Sequence, residues 1–330
     1  MSGLRDILGV PFGWALSVLY NFSGNYLLSL VIITLVLKLL LLPMSIKQQK
    51  GSAKQMRLQA KVNKIRAKYA GGGREAQMKI SEETQELYRR EGFNPASAGC
   101  APLVLQLVVM MGLYNAIYAP ISKVLMFKDA VIEELRRVYL TLPNLAANAE
   151  KDTYRMELNI LNRFNEIIPN LNSEIVSGED VSKIQSFISN FSVFGVNLTE
   201  FPKDFKGRPD AALLILIPIL AGVSALLTAL YSYIKQRKTN PETAKNPAMG
   251  CMMLFSPAMS AYFAYSLPAG VGFYWIISNI LAFIQTIALG AVIKPEKVIA
   301  GQMIDETVER RSREASIKQR AEILKGNKTE

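Results

Sequence analysis

The chain has 330 residues, of which 50% are hydrophobic and 20% charged, with a positive mean hydropathy of 0.18 and a net charge of +11. That balance is too apolar for an ordinary soluble domain and points to a membrane protein. The absence of histidine removes imidazole general bases, Ser-His-Asp and Cys-His systems and imidazole metal sites, and two cysteines, Cys100 and Cys251, build neither a zinc ribbon nor a disulfide framework. No cofactor, no metal and no catalytic residue are expected.

Residues 1–24 carry one Arg and one Asp before an apolar stretch that holds Pro11 and Gly13, so no cleavable signal peptide is expected. Residues 10–22, with Phe12, Trp14, Leu16, Leu19 and Tyr20, read as an interfacial helix on the outer leaflet, or as an extension of the first span. A helix crossing ~30 Å of hydrocarbon at ~1.5 Å per residue needs ~20 mostly apolar positions. Five stretches qualify: 25–44, interrupted only by Lys38; 101–119, stopped by Pro120; 211–234, with a kink expected at Pro218; 249–267; and 270–293. The last two are joined through Pro268, Ala269 and Gly270, which predicts a tight hairpin. The expected fold class is an all-α membrane protein, a five-helix transmembrane bundle.

Between the spans, 45–100 is rich in helix formers and split by Gly71, Gly72 and Gly73. It reads as a mobile, basic helical hairpin touching anionic lipids, or as a disordered linker. Segment 120–210 contains helix-like stretches at 152–168 and 180–191, and an Asn197-Leu198-Thr199 glycosylation match too short to carry weight. In the tail 294–330, Arg310, Arg311, Arg313, Lys318 and Arg320 alternate with Glu on a helical pattern. They suit nucleic-acid phosphates or anionic lipid, with a plain solvated helix as the alternative.

Orientation follows Lys and Arg asymmetry. Segment 44–100 has 12 basic against 5 acidic residues, 234–248 has 4 against 1 and 294–330 has 9 against 7, whereas 120–210 has 11 against 13. The first three are expected in the cytoplasm, with the loop 235–248 among them. The last, with the N-terminus, is expected outside. Both cysteines then fall near cytoplasmic helix ends as free thiols.

Lys38 is the most informative residue, since a charge at the centre of a membrane helix costs ~2.5 to 3.5 kcal/mol on insertion scales and normally faces a cavity or partner. Two readings stand: a functional cation, or an amine snorkelling to the interface near Pro43. Thr34, Lys38 and Ser45 share one helix face, which favours a hydrated surface. Ser224, Thr228 and Ser232 form a similar stripe, as do Ser278 with Gln285 and Asn279 with Thr286. Each is either groove lining or interhelical glue. No acidic residue lies inside a span, so a lone cation in a polar cleft would attract a passing anionic group.

Several runs taken together resemble the YidC/Oxa/Alb insertase family in its five-span bacterial form. They are Asn25-Tyr26 leading through Thr34 and Lys38 to Pro43, then Glu91-Gly92-Phe93-Asn94-Pro95 with Gly99-Cys100-Ala101-Pro102 and Gln106, then Leu267-Pro268-Ala269-Gly270 through Tyr274, Trp275, Ser278 and Asn279. The resemblance covers about 1–120 and 190–293. It implies a multi-pass protein of the bacterial plasma membrane that inserts and helps fold nascent membrane proteins, alone or with a Sec translocon. A hydrophilic groove open to the cytoplasm and lipid would hold one basic residue at the position of Lys38, where the family usually has arginine, so the guanidinium fork is lost. Thr34 matches a substrate-contacting position, Tyr274 and Trp275 match aromatics along which nascent spans slide, and Gln106 is a groove wall by position. The tail would contact the ribosome. Residues 128–190 resemble an insertion whose role is not inherited.

Among rivals, a transporter would show internal repeats, and none is found. A scaffold would need neither Lys38 nor the polar stripes. An intramembrane enzyme lacks a nucleophile-base pair.

Overall fold

The computed structural model describes residues 2–94, 108–145, 149–239 and 247–326. The chain divides into two compact units, Met1–Leu42 with Leu103–Thr286, and Pro43–Pro102 with Ile287–Glu330.

The first unit opens with α1 (Ser2–Ser23), longer than the 10–22 expected because the helix runs through Pro11, which forfeits only one intrahelical bond. Gly24, at φ 64°, ends it, and the Asn25 side chain caps α2 (Tyr26–Leu40) by accepting from the Leu28 amide at 3.0 Å. These are therefore two helices, not one extended span. They pack together with Leu16, Tyr20, Tyr26 and Leu30 buried. The opposite face of α1 leaves Val10, Trp14, Val18 and Phe22 exposed at a spacing of four. α2 breaks at Leu41 before α3 (Leu42–Lys68), so the first apolar helix ends earlier than the 25–44 predicted and the polar hairpin begins earlier.

α5 (Val108–Tyr118) is followed by the short α6 (Pro120–Lys123), whose first turn is capped from afar. The Glu157 carboxylate accepts from the amides of Ile121 at 2.6 Å and Ser122 at 3.0 Å, two donors a helix start leaves without an intrahelical partner. α7 (Asp129–Thr141), α8 (Met156–Asn162), α9 (Phe164–Ile167) and α10 (Gly178–Asn190) complete a cap. α8 with α9, and α10, answer to the stretches predicted at 152–168 and 180–191, while α7 was not anticipated. A capping box between Ser177 and Asp180 starts α10. A two-stranded antiparallel hairpin follows, β1 (Ser192–Val193) with β2 (Val196–Asn197), pairing Val193 with Val196. Asn197 accepts from the Thr199 amide at 3.0 Å and donates to Asn162 at 3.1 Å, so its side chain holds the hairpin to α8.

Fully buried Leu135, Phe164, Phe187 and Phe191 anchor the cap core, each contributing ~1.5 to 3 kcal/mol. The Phe187 ring stacks on Phe191 at 4.9 Å and meets Tyr20 at 5.2 Å and Tyr26 at 5.7 Å edge-on, which ties α10 to α1 and α2. Glu134 is buried but paid in full by donors: Arg137 Nε at 2.8 Å, Arg137 Nη2 at 2.7 Å and the Asn172 amide at 3.1 Å. The Arg137 guanidinium, then the Asn172 amide, pull its carboxyl down to about 2.

α11 (Ala211–Thr239), α12 (Pro247–Ser266) and α13 (Ala269–Val292) follow, near the predicted 211–234, 249–267 and 270–293. α11 passes unbroken through Pro218. Their order along the bundle is fixed by close approaches. Gly222 lies against Pro257 and Ala261, Gly272 against Ile217 and Ala264, and Asn279 reaches Ala221 and Ser224. α13 therefore runs parallel to α11 and α12 runs antiparallel, with the longest packing between α11 and α12. The turn between α12 and α13 is only Leu267 and Pro268. The first amides of α13 bond back to the cap, Ala269 to the Glu200 carbonyl at 2.7 Å and Gly270 to the Leu198 carbonyl at 2.9 Å. The cap thus covers the end at which α11 and α13 begin, and α11 passes to α12 at the other end. α11 and α13 are long and apolar enough to cross a membrane over Ala211–Lys235 and Ala269–Val292, and α2 with α3 make a third span if the broken pair is counted as one.

In the second unit α3 and α4 (Arg74–Arg90) form the expected hairpin, turning through Gly71 at φ 85°. Lys68 meets Glu83 at 2.7 Å near the turn, and Lys61 pairs with Glu91 at the base. Its apolar core is small: Leu58 and Phe93, with Tyr88 packed on the Phe93 ring at 5.2 Å. α14 (Pro295–Gly326) is the helical tail.

Candidate functional site

The polar residues that sequence places inside the spans fall into separate groups. On α2, Thr34 is buried and its hydroxyl donates back to the Leu30 carbonyl at 2.6 Å, satisfied within its own helix. Lys38, four residues on and so on the same face, sits in the last turn of α2. At ~1.5 Å per residue it is ~18 Å along the axis from Tyr26. It is half-buried and makes no hydrogen bond or ion pair among the described residues. An amine in that position has shed water without gaining an anion.

A second group joins α11 to α13. Asn279 Nδ2 donates to the Ser224 hydroxyl at 3.2 Å and to the Ala221 carbonyl at 3.2 Å, while Ser224 donates to that same carbonyl at 3.0 Å. Both hydroxyls, Ser224 and Ser278, are buried. Two of the predicted polar residues therefore meet each other as interhelical glue. Thr228, one turn beyond Ser224, has a buried hydroxyl oxygen with no partner among the described residues.

The two aromatics on α13 differ. Tyr274 is buried within the core cluster, whereas Trp275 is half-exposed and stacks on Phe263 of α12 at 5.4 Å. Gln106 and Cys100 lie outside the described residues, and Cys251 falls on α12. Arg310, Arg311, Arg313, Lys318 and Arg320 all fall on α14. The first four are exposed, with Arg310 near Glu314 at 3.7 Å and Arg313 near Glu309 at 3.3 Å. Such surface pairs hold their partners weakly and leave the cations available.

The profile described as 60Kd inner membrane protein matches residues 18–296, the greater part of the chain. The chain belongs to this family, the YidC/Oxa/Alb group. Among YidC relatives it is 23% identical over 308 residues to membrane protein insertase YidC 2 of Listeria innocua, covering 92% of this chain and 78% of the relative. It is 25% identical over 283 residues to membrane protein insertase MisCA of Bacillus subtilis, covering 84% and 77%. With membrane protein insertase YidC 1 of Halalkalibacterium halodurans the identity is 26% over 277 residues, covering 84% and 74%.

Within this YidC-family chain the structure also brings out packing roles that sequence reading did not assign. Gly9 and Gly13, one turn apart on α1, let it cross the helices beneath: a Cβ at Gly9 would strike the Asn115 side chain, one at Gly13 would meet Lys123, and one at Gly112 would strike the Phe12 ring. The small-xxx-small spacing was present in the sequence as their signal. Arg208 was also missed; it bridges Glu200 at 2.8 Å and Asp210 at 2.9 Å, linking the cap to the start of α11.

Proposed function

We propose that this chain is a non-enzymatic membrane protein insertase and folding chaperone of the bacterial plasma membrane. It would span the bilayer five times, over 25–44, 101–119, 211–234, 249–267 and 270–293, with the N-terminus outside and the C-terminus in the cytoplasm. Membership of the family and the insertase names of its relatives support the activity. The observation that carries the mechanism is Lys38, half-buried near the end of an apolar helix, on the face of Thr34 and without a partner among the described residues. In this reading a hydrated notch shortens the apolar distance over which a polar tail must pass, and Lys38 attracts its acidic residues. Thr34 and Gln106 line that notch with Thr228 and Ser278, while Ser224 and Asn279 hold α11 to α13 behind it. The nascent span leaves along Trp275, with Tyr274 buried behind, and its transfer into lipid supplies the driving energy. The α14 cations Arg310, Arg311, Arg313, Lys318 and Arg320 meet ribosomal RNA phosphates, the basic hairpin meets anionic lipids, and a Sec translocon is a partner for some substrates.

The test is a reconstituted insertion assay at matched protein level. Lys38→Arg retains insertion of single-span substrates with acidic tails, Lys38→Ala impairs it and Lys38→Glu impairs it further, with substrates lacking acidic tail residues less affected. Wild-type insertion of acidic-tailed substrates by Lys38→Ala would reduce Lys38 to a snorkelling anchor.

A further inference from the structure

Phe194 combines two unfavourable features. It occupies the first tip position of the β1–β2 hairpin at φ 52°, followed by Gly195 at φ 83°. Two successive positive φ values describe the tight hairpin turn that favours Asn-Gly, and a bulky aromatic at the first position is strained. The side chain is also 86% exposed, so no packing among the described residues offsets that strain. A strained, exposed aromatic is a feature to be explained by what lies outside the chain.

Its position identifies the surroundings. The hairpin is closed by the Leu198 amide on the Phe191 carbonyl at 3.0 Å, and the Leu198 carbonyl accepts from Gly270 at 2.9 Å. Gly270 is the second residue of α13, a helix apolar enough to cross a membrane from Ala269 onward. Four residue steps lead from Leu198 to Phe194, which even fully extended span at most ~13 Å at ~3.3 Å per step. The hairpin tip therefore lies within reach of the level at which that span enters hydrocarbon. A second exposed aromatic is attached to the same ring cluster: Phe22 is 92% exposed on α1, whose Tyr20 packs on Phe187 just ahead of the hairpin. Phe, like Trp and Leu, is a side chain that interfacial segments bury at the boundary between headgroups and acyl chains.

We propose that the Phe194 tip inserts into the interfacial region of the leaflet at the capped end, as a lipid anchor that fixes the cap against the membrane. The proposal concerns the cap alone and is independent of the role given to Lys38. It is tested on the full chain with Cys100→Ser and Cys251→Ser, carrying a nitroxide at Phe194→Cys, in nanodiscs holding only lipid. Power saturation compares collision with oxygen, which partitions into lipid, against a water-soluble nickel chelate. The expected result is oxygen accessibility several-fold above nickel accessibility at 194, and the reverse at Glu179→Cys on the exposed start of α10. Nickel accessibility at 194 equal to that at 179 would overturn the proposal, and would leave a protein partner as the cover of this tip. Phe194→Asn, which suits the left-handed turn, supplies a second readout free of the label. It keeps the thermal midpoint of the parent or raises it, while a nitroxide at Ser192→Cys, exposed on β1 beside the tip, becomes several-fold more accessible to nickel in that variant than in the Phe194 parent. An unchanged nickel accessibility there would equally refute the anchor.

Discussion

The ring of Phe187 should be the point at which the cap is most easily detached from the helices it covers. It is fully buried and touches Phe191 on its own segment, Tyr20 on α1 and Tyr26 at the start of α2. Truncating a core Phe to Ala costs about 3 to 5 kcal/mol through lost transfer energy and the cavity left behind. The aromatic contacts, each worth about 0.5 to 1.5 kcal/mol, overlap with that figure and do not add to it. Because Tyr20 and Tyr26 are held by separate helices, the cavity has little freedom to collapse, which places Phe187→Ala toward the upper part of the range. Equilibrium unfolding of the purified protein in mixed micelles, followed by the near-ultraviolet signal of the tyrosines, measures the loss. Protease nicking within 120–210 should accelerate in parallel, and Phe187→Leu should fall between Ala and the parent. A loss below about 1 kcal/mol for Phe187→Ala would refute the view that this ring joins cap to bundle.

Acid should weaken the cap through Glu134 and Asp210. The carboxyl of Glu134 lies at about 2 in the folded chain against about 4.5 ordinarily, and the Arg208 guanidinium likewise holds Asp210 down. Their stabilisation is present above the ordinary carboxyl range and is lost as pH falls through the lowered values, so a thermal midpoint measured from pH 6 downward should drop below about pH 4.5, and less steeply in Glu134→Gln. Gly13→Val should push α1 off Lys123 and destabilise the unit by about 1 to 3 kcal/mol, as overpacking does, whereas Val18→Ala on the exposed face should stay within about 0.5 kcal/mol in the same unfolding assay.

The two helices long and apolar enough to cross a membrane, α11 and α13, were legible in the sequence because uncharged runs of that length have few other uses. The Gly71 turn was legible because three glycines interrupt a run of helix formers. α7 was missed although Val131, Leu135, Val138 and Tyr139 repeat at helical spacing, because Glu133, Glu134, Arg136 and Arg137 lie between them and make the segment read as a charged loop. The hairpin was missed because Phe194 is not a residue that local propensity places at positive φ. At the site, spacing puts Thr34 and Lys38 on one helix face and Ser224 on a polar stripe. It did not reveal that Thr34 bonds to Leu30 or that Asn279 chooses Ser224, since partner choice depends on which helices meet. The position of Lys38 relative to the helix end likewise depended on where α2 breaks.

The bonds from Ala269 and Gly270 to the cap also order the biogenesis of the chain. Tyr26 enters the ring cluster from one end of the sequence and the α13 amides reach Leu198 and Glu200 from the other, so the cap is built from contacts of high sequence separation. During synthesis the segment 120–210 emerges before α13 exists, and its Leu198 and Glu200 carbonyls must wait for it. Nascent chains stalled before Ala269 should therefore carry a cap whose amides exchange rapidly with solvent, and protection should arrive only when the last span has been laid down.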